Sequence, residues 1–361
     1  MTDIDPSTYD QQLHDKVANL RLHFDALELP AISIFPSAPL HYRMRAEFKM
    51  WQANDRADYA MYHKGQHKKH YTITEFPAGS ALIAKLMPRL LEQINQCDIL
   101  RQRLFSVEFL TTLSGEALIT LLYHRPLDAS WEARAAQLAK ELPADIIGRS
   151  RKQKVVIHRD FVVEKLNVAG QTYTYQQIET GFTQPNAKVN EKMLSWALEC
   201  SRAFSGDLLE LYCGNGNFTA VLAQNFQRVL ATEISKLSVR AASFNFKANQ
   251  IENIDIVRLS SEEITQALNG VRPFRRLREI DLKSYQFSTV FVDPPRAGLD
   301  DGTLELLRRF DNIIYVSCNP ETLHANLKAL KSSHQIERFA VFDQFPYTPH
   351  LEAGVILKKR C

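Results

Sequence analysis

Apolar residues along this chain fall into two textures. From about residue 40 to 125 they lie in short strand-like segments at 42–51, 60–63, 105–112 and 117–123. Ser114-Gly115 between the last two predicts a hairpin turn. Residues 80–94 repeat instead at helical spacing despite Pro88, and so do 130–141. Near the start, Leu13, Val17, Leu20 and Leu22 mark a helix that ends before Pro30. Short strands follow near 155–157 and 172–175. The pattern predicts an α+β first half with much antiparallel sheet.

The second half reads differently. A long helical pattern at 186–204 precedes apolar strands at 208–212, 229–232, 254–258, 289–292, 313–316, 336–343 and 354–358. Most are followed by amphipathic stretches, the signature of βαβ units and a mostly parallel sheet. The boundary falls near 176–188, giving expected regions of 1–180 and 181–361.

Composition changes this picture little. Apolar residues at 45% and charged residues at 24% exclude wholesale disorder. A net charge of +3 is too balanced to announce a polyanionic partner. The five cysteines (Cys97, Cys200, Cys213, Cys318, Cys361) are widely spaced, with no C-x-x-C pair. That argues against a disulfide framework, a zinc site or an iron–sulfur cluster, and fits a reducing cytoplasm. The acidic, polar start has no apolar signal segment, and no apolar run approaches the ~18 residues of a membrane span. A cytoplasmic, soluble chain is expected.

Candidate chemistry concentrates at the ends of the second-half strands. LLELYCGNGNFT (208–219) runs from an apolar strand through Gly214-Asn215-Gly216 into a helix starting near Asn217. Glycines there let the backbone turn tightly and approach a ligand across the sheet's carboxyl edge. The third glycine of a dinucleotide fingerprint is missing, which counts against a nicotinamide-dependent oxidoreductase and for a ligand without a pyrophosphate. Glu233 ends the next strand, 17 residues past Gly216, where a carboxylate accepts both hydroxyls of a ribose. Ribose recognition without a phosphate cradle points to S-adenosyl-L-methionine. A Gly-rich turn of no special function is the bland alternative.

TVFVDPPRAGL (289–299) ends a strand in Asp293-Pro294-Pro295-Arg296, a stiff loop at the same edge. Arg296 suits a phosphate or a carboxylate. Twenty-five residues past Asp293, Cys318 follows another apolar strand, with Asn319 as N-cap and Pro320 as first helical residue. The helix dipole there favours thiolate over thiol, opposed by Glu321. The other cysteines read as inert, with Cys213 as wall.

Taken together, LELYCGNGNFT, ATEIS, FVDPPRAGL, SCNPETL and FDQFPYTPHLEAGVIL make the chain similar to the RNA uracil-5 methyltransferases, and most similar to their bacterial tRNA branch. The similarity runs from HYRMRAEF, near residue 41, to the C-terminus. It implies a Rossmann-like class I methyltransferase domain with a mostly parallel sheet, preceded by an α+β RNA-binding domain. It also implies S-adenosyl-L-methionine contacts from Gln184, Tyr212, Gly214, Asn217, Glu233 and Asp293, with Cys318 as nucleophile and Glu352 as the final base. Carbon 5 of uracil is a poor nucleophile, so the chemistry needs a thiolate adding at carbon 6 and a base to remove the C5 proton. Sister branches that act on ribosomal RNA usually carry a cysteine cluster or an added N-terminal barrel. Only Cys97 precedes residue 200, and about 40 residues precede the similarity, so a tRNA T-loop uridine at position 54, extending to tmRNA, is the expected target. No metal and no obligate protein partner are implied. A relative acting on ribosomal RNA and an RNA chaperone without turnover are the alternatives.

Local charge agrees with an RNA partner. Residues 41–70 hold Arg43, Arg45, Lys49, Arg56, Lys64, Lys68 and Lys69 against Glu47, Asp55 and Asp58. Residues 148–159 hold Arg149, Arg151, Lys152, Lys154 and Arg159 with no acid. Such runs neutralise phosphates, although a solvated face reads the same way. Phe105 and His124, each beside arginines, are the candidate platforms for splayed bases of a loop whose target uridine is flipped out.

Overall fold

In the computed structural model, which describes residues 4–62 and 69–360, the two textures fold as two separate sheets. The chain opens with helix α1 (Tyr9–His23) and strand β1 (Ile32–Phe35). Strands β2 (Arg45–Ala53), β3 (Arg56–Tyr62) and β4 (His70–Ile73) precede helices α2 (Ala81–Asn95) and α3 (Asp98–Arg101). Next come β5 (Leu104–Thr111), β6 (Ala117–Tyr123), α4 (Ala129–Glu141), β7 (Asp145–Ser150) and β8 (Gln153–Val156). The hairpin β9 (Phe161–Val168) and β10 (Gln171–Ile178) leads through a linker to α5 (Ala187–Ser201). The rest alternates: β11 (Asp207–Leu211), α6 (Asn217–Leu222), β12 (Val229–Thr232), α7 (Lys236–Ala248), β13 (Ile254–Val257), α8 (Ser261–Leu268) and β14 (Phe287–Val292). It ends with α9 (Asp301–Leu307), β15 (Asn312–Ser317), α10 (Pro320–Leu330), β16 (His334–Phe342) and β17 (Glu352–Lys359).

The seven-stranded sheet has the order β4-β3-β2-β5-β6-β7-β8. Its pairings are antiparallel except β6–β7, which α4 joins as a crossover. Alternation along β2 sends Ala46 and Phe48 into the core with Ile83, Leu86 and Trp131 from α2 and α4. Arg45, Glu47, Lys49 and Trp51 point to the other face, which the helices leave uncovered. Thus the first half is α+β as expected, with β4, β7 and β9 in segments where alternation did not mark a strand. The predicted strand at 60–63 ends at Tyr62; His63, Lys64, Lys68 and Cys361 lie outside the described residues.

The eight-stranded sheet has the order β1-β16-β17-β15-β14-β11-β12-β13, with β17 antiparallel to both neighbours and the remaining pairs parallel. Residues of α1, α8, α9 and α10 fill one face and those of α5, α6 and α7 the other, a three-layer Rossmann-like arrangement. The expected division at 180/181 is crossed at the N-terminus. Leu13, Val17 and Leu20 of α1 are buried in this second core, and β1 pairs with β16 from Ile32↔Phe339 to Phe35↔Phe342. An apolar helix stripe and an open sheet edge each need a partner, and the second sheet supplies both. The β9–β10 hairpin also packs there: Leu166, Val168, Tyr173 and Tyr175 join α5 and α7.

Candidate active site

Strand register carries the site residues to one edge. Parallel pairing of β11 with β12 and β14 ends at Glu210↔Ala231 and Leu211↔Val292. One or two steps further, Tyr212, Glu233 and Asp293 stand level, just past their strands' carboxyl ends. The order of strands reverses between β11 and β14, the switch point where open α/β sheets bind ligands. Because β17 runs antiparallel, its first residue reaches the same edge. Its register with β15 ends at Ser317↔Ala353, and the next step sets Cys318 opposite Glu352. The sequence offers no spacing that would reveal this opposition across 34 residues; the antiparallel strand creates it.

These residues line one cavity of about 480 Å³ that includes Gln184, Tyr212, Gly214, Asn217, Glu233, Asp293, Arg296, Cys318 and Glu352. The two glycines divide their work. Gly214 has φ +57° and its Cβ position is open, so the backbone there is free to meet a ligand. Gly216 has φ +77°, and a Cβ there would lie 2.5 Å from Phe246, so its role is close packing with α7. Glu233 fixes the loop by accepting the Gly214 N–H (3.0 Å) and the Ser235 N–H (2.7 Å). Asn217 and Asn190 form a reciprocal amide pair at 2.9 Å, and Tyr175 Oη donates to the Asn217 carbonyl. The hairpin therefore roofs the cavity, a part that sequence reasoning missed.

Burial sets the protonation of the acids. Burial pushes Glu352 up to about 8, with Asp293 adding to the rise and Arg296 opposing it. Burial likewise raises Asp293 to about 7. Glu210, 1% exposed in the middle of β11, is pushed up to about 8 by burial and further by Asp293. Its Oε2 has no hydrogen-bond partner, nor has Oε1 of Gln184. Glu210 is a further candidate, and its signal was a lone acid inside the otherwise apolar strand LLEL. The expected thiolate bias at Cys318 is corrected: burial raises its thiol, Glu352 and Asp293 raise it further, and Arg296 pulls the other way. The capping geometry itself is as expected. Asn319 Oδ1 accepts the Glu321 N–H at 3.1 Å, and its amide donates to the Arg296 carbonyl at 2.9 Å.

The candidate RNA residues lie elsewhere, on and beside the face of the seven-stranded sheet away from α2 and α4, part of which β9 and the 179–181 linker cover. Phe105 and His124 stack with centroids 4.1 Å apart, under Lys49 Nζ at 4.4 Å from the Phe105 ring. Arg45 pairs with Glu108 and donates to the Gly181 carbonyl (2.7 Å). Arg149 pairs with Glu179, and Arg43 donates to the Arg45 carbonyl (2.8 Å). The Arg45 and Arg149 contacts moor the linker that leads to Gln184, so these two arginines also have structural work. Among the described residues no group of His, Cys, Asp and Glu has the arrangement of a metal site, and no helix is long and apolar enough to cross a membrane.

Comparison with known proteins fits this geometry. Residues 8–360 match the family tRNA (Uracil-5-)-methyltransferase. The chain belongs to that family. A tRNA/tmRNA (uracil-C(5))-methyltransferase from Saccharophagus degradans is 57% identical over 356 residues, covering 98% of each chain. One of the same description from Colwellia psychrerythraea is 54% identical over 361 residues, covering 99% of each. A solved structure described as Pyrococcus abyssi tRNA (uracil-54, C5)-methyltransferase in complex with S-adenosyl-L-homocysteine superposes with a TM-score of 0.72 at 21% identity, covering 97% of this chain and 83% of that one. The similarity read from the motifs is thus borne out, and with it the Rossmann-like fold and a methyltransferase activity.

Proposed function

We propose that this methyltransferase transfers a methyl group from S-adenosyl-L-methionine to carbon 5 of the T-loop uridine at position 54 of tRNA, and acts on tmRNA as well. The observation that carries the reading is the opposition of Cys318 and Glu352 across β15 and β17 in the cavity that also holds Glu233 and Asp293. The cavity fits the cofactor. Glu233 has lone pairs left for ribose hydroxyls, the open side of Gly214 admits close approach, and the unpartnered oxygens of Glu210 and Gln184 suit a cationic group. Tyr212, Asn217 and Asp293 complete that set. Bound there, S-adenosyl-L-methionine supplies an electrophilic methyl carbon.

The protein's own groups do the rest. The Cys318 thiolate adds to carbon 6 of the flipped uracil, and the C5–C6 π pair moves to make an enolate whose carbon 5 is nucleophilic. After methylation, Glu352 removes the C5 proton, the C5–C6 double bond re-forms and the C6–S bond breaks, returning the thiolate. Arg296, which borders Cys318 and Glu352, stabilises both anions. In this reading residues 1–180 supply the RNA grip and 181–361 the cofactor site.

The test is incubation with S-adenosyl-L-methionine labelled in its methyl group and unmodified tRNA, followed by mapping of the methylated base. Label at the T-loop uridine, absent with Cys318→Ala, is the expected result. Label in ribosomal RNA fragments instead, or full activity of Cys318→Ala, would overturn the target or the mechanism respectively.

A further inference from the structure

The exposed aromatic residues of the seven-stranded sheet are not confined to Phe105 and His124. Trp51 near the end of β2 stacks on His70 of β4, with centroids 3.7 Å apart and planes at 29°. Tyr62 of β3 meets the same His70 edge-on at 6.4 Å. Register puts all three on one face: Lys49 lies opposite Ala60 and Trp51 opposite Asp58, while Tyr62 lies opposite His70. Lys49 in turn lies opposite Ser106, beside Phe105. The face that carries the Phe105–His124 stack therefore continues to a second aromatic group, with Lys49 between them. Trp51 remains 45% exposed and Tyr62 43%, although burying either against the apolar side of the sheet would have been favourable.

We infer that Trp51, braced by His70, is a second stacking platform that takes an unpaired nucleobase of the RNA substrate. The inference rests on RNA being the substrate, as proposed above. An indole is sequence-tolerant as a platform because every base has a π face. His70 behind the ring holds it upright, so little side-chain freedom is lost when a base lands on the outer side. The surroundings favour a nucleic acid over a second protein chain. Lys49, Arg56 and Lys69 lie near the group, Lys49 paired with Glu47 and Arg56 with Asp58, and through Lys49 the patch is continuous with the Phe105–His124 face. The reach is also right. Arg45, at the linker that enters the catalytic cavity, and Trp51 are six residues apart on one strand, ~20 Å, about the breadth of an RNA hairpin.

The experiment uses intrinsic fluorescence and steady-state kinetics on the full chain with unmodified tRNA. The other two tryptophans are buried, Trp131 at 0% and Trp196 at 8%, so quenching by a stacked base falls on Trp51. The expected result is quenching of the wild-type protein by tRNA that is lost in Trp51→Ala, with KM for tRNA raised about tenfold and kcat unchanged. Trp51→Phe, which keeps a ring, recovers most of the KM. Unchanged KM and undiminished quenching in Trp51→Ala would overturn the platform, and so would a variant that alters self-association while binding tRNA normally. Quenching by tRNA without methyl transfer would instead overturn the proposed reaction and leave the platform standing.

Discussion

On the open face of the seven-stranded sheet, Arg45 is paired with Glu108, Lys49 with Glu47 and Arg149 with Glu179. In the proposed catalytic cavity, Glu210, Asp293 and Glu352 are crowded together, and none forms a salt bridge with another described residue. The same residue types serve opposite ends. Of the pairs on the sheet only Lys49–Glu47 is well solvated, and such a pair contributes little to stability; Arg45–Glu108 and Arg149–Glu179 are largely buried beside the linker they hold. Carboxyls in a low-dielectric cavity hold their protons until a nearby cation makes ionisation favourable. In the proposed function, one region is arranged for gripping RNA and the other for changing charge.

The sharpest way to break that contrast is Glu352→Gln. The variant keeps the shape of the cavity but has no carboxylate to accept the C5 proton. Methylation turnover should fall about 10²- to 10⁴-fold, while a covalent protein–RNA adduct resistant to denaturing gel electrophoresis accumulates. Turnover within tenfold of wild type, with no adduct, would remove Glu352 from the mechanism.

The next largest effect concerns a buried pair that departs from both patterns. Lys16 of α1 donates to Asp343 (2.7 Å) and to the carbonyls of Phe345 and His350, while Tyr9 Oη donates to the other Asp343 oxygen. This clamp holds the segment leading into Glu352. Lys16→Met leaves Asp343 buried without its cation and should destabilise the fold by about 3–5 kcal/mol in urea unfolding. The double variant Lys16→Met/Asp343→Leu should recover most of that loss. On the open face, Glu47→Ala breaks a solvated pair and should cost no more than about 1 kcal/mol.

A smaller effect follows from pH. In the proposed mechanism the carboxylate of Glu352 is the form that takes the proton, and burial raises that group to about 8. Its ionised fraction therefore falls about tenfold between pH 7 and pH 6. Elimination slows in proportion, so turnover should be slower at pH 6 than at pH 8. The raised Cys318 thiol acts in the same direction on adduct formation, so kcat/KM for RNA should also rise with pH. A flat profile from pH 6 to 8 would show that bound ligands cancel the effect of burial.

Much of this was legible in the chain. Strand-end motifs name their residues because a parallel strand delivers its last residue to the ligand edge, and Glu233, Asp293 and Cys318 all obey that rule. Apolar runs and glycine turns located most strands of both sheets. The parts that were not legible depend on long-range pairing. No local pattern says that residues 9–35 leave the first half for the second core, that β17 reverses to face β15, or that a hairpin at 161–178 roofs the Gly214–Asn217 loop. The direction of the Cys318 shift was missed for a related reason. A helix N-terminus is visible in SCNPETL, but Asp293 and Glu352 are brought beside the thiol only by the fold. Arginine runs were legible as charge, whereas their partners Glu108 and Glu179 were not.

The smallest effects separate stacking from charge on the open face itself. Phe105→Ala removes the ring that stacks on His124 and should raise KM for tRNA about tenfold with kcat unchanged. Stacking releases no counterions, so the slope of log(KM) against log(salt) should stay as in wild type. Lys49→Gln keeps the ring but removes the cation above it. Its KM should rise less, and the salt slope should drop by about one. If both variants changed the slope equally, Phe105 would act only by positioning Lys49, and the face would be an electrostatic surface with no platform. If neither changed KM, the RNA would lie on another part of the molecule, and the contrast between a gripping sheet and a reacting cavity would fail at its first half.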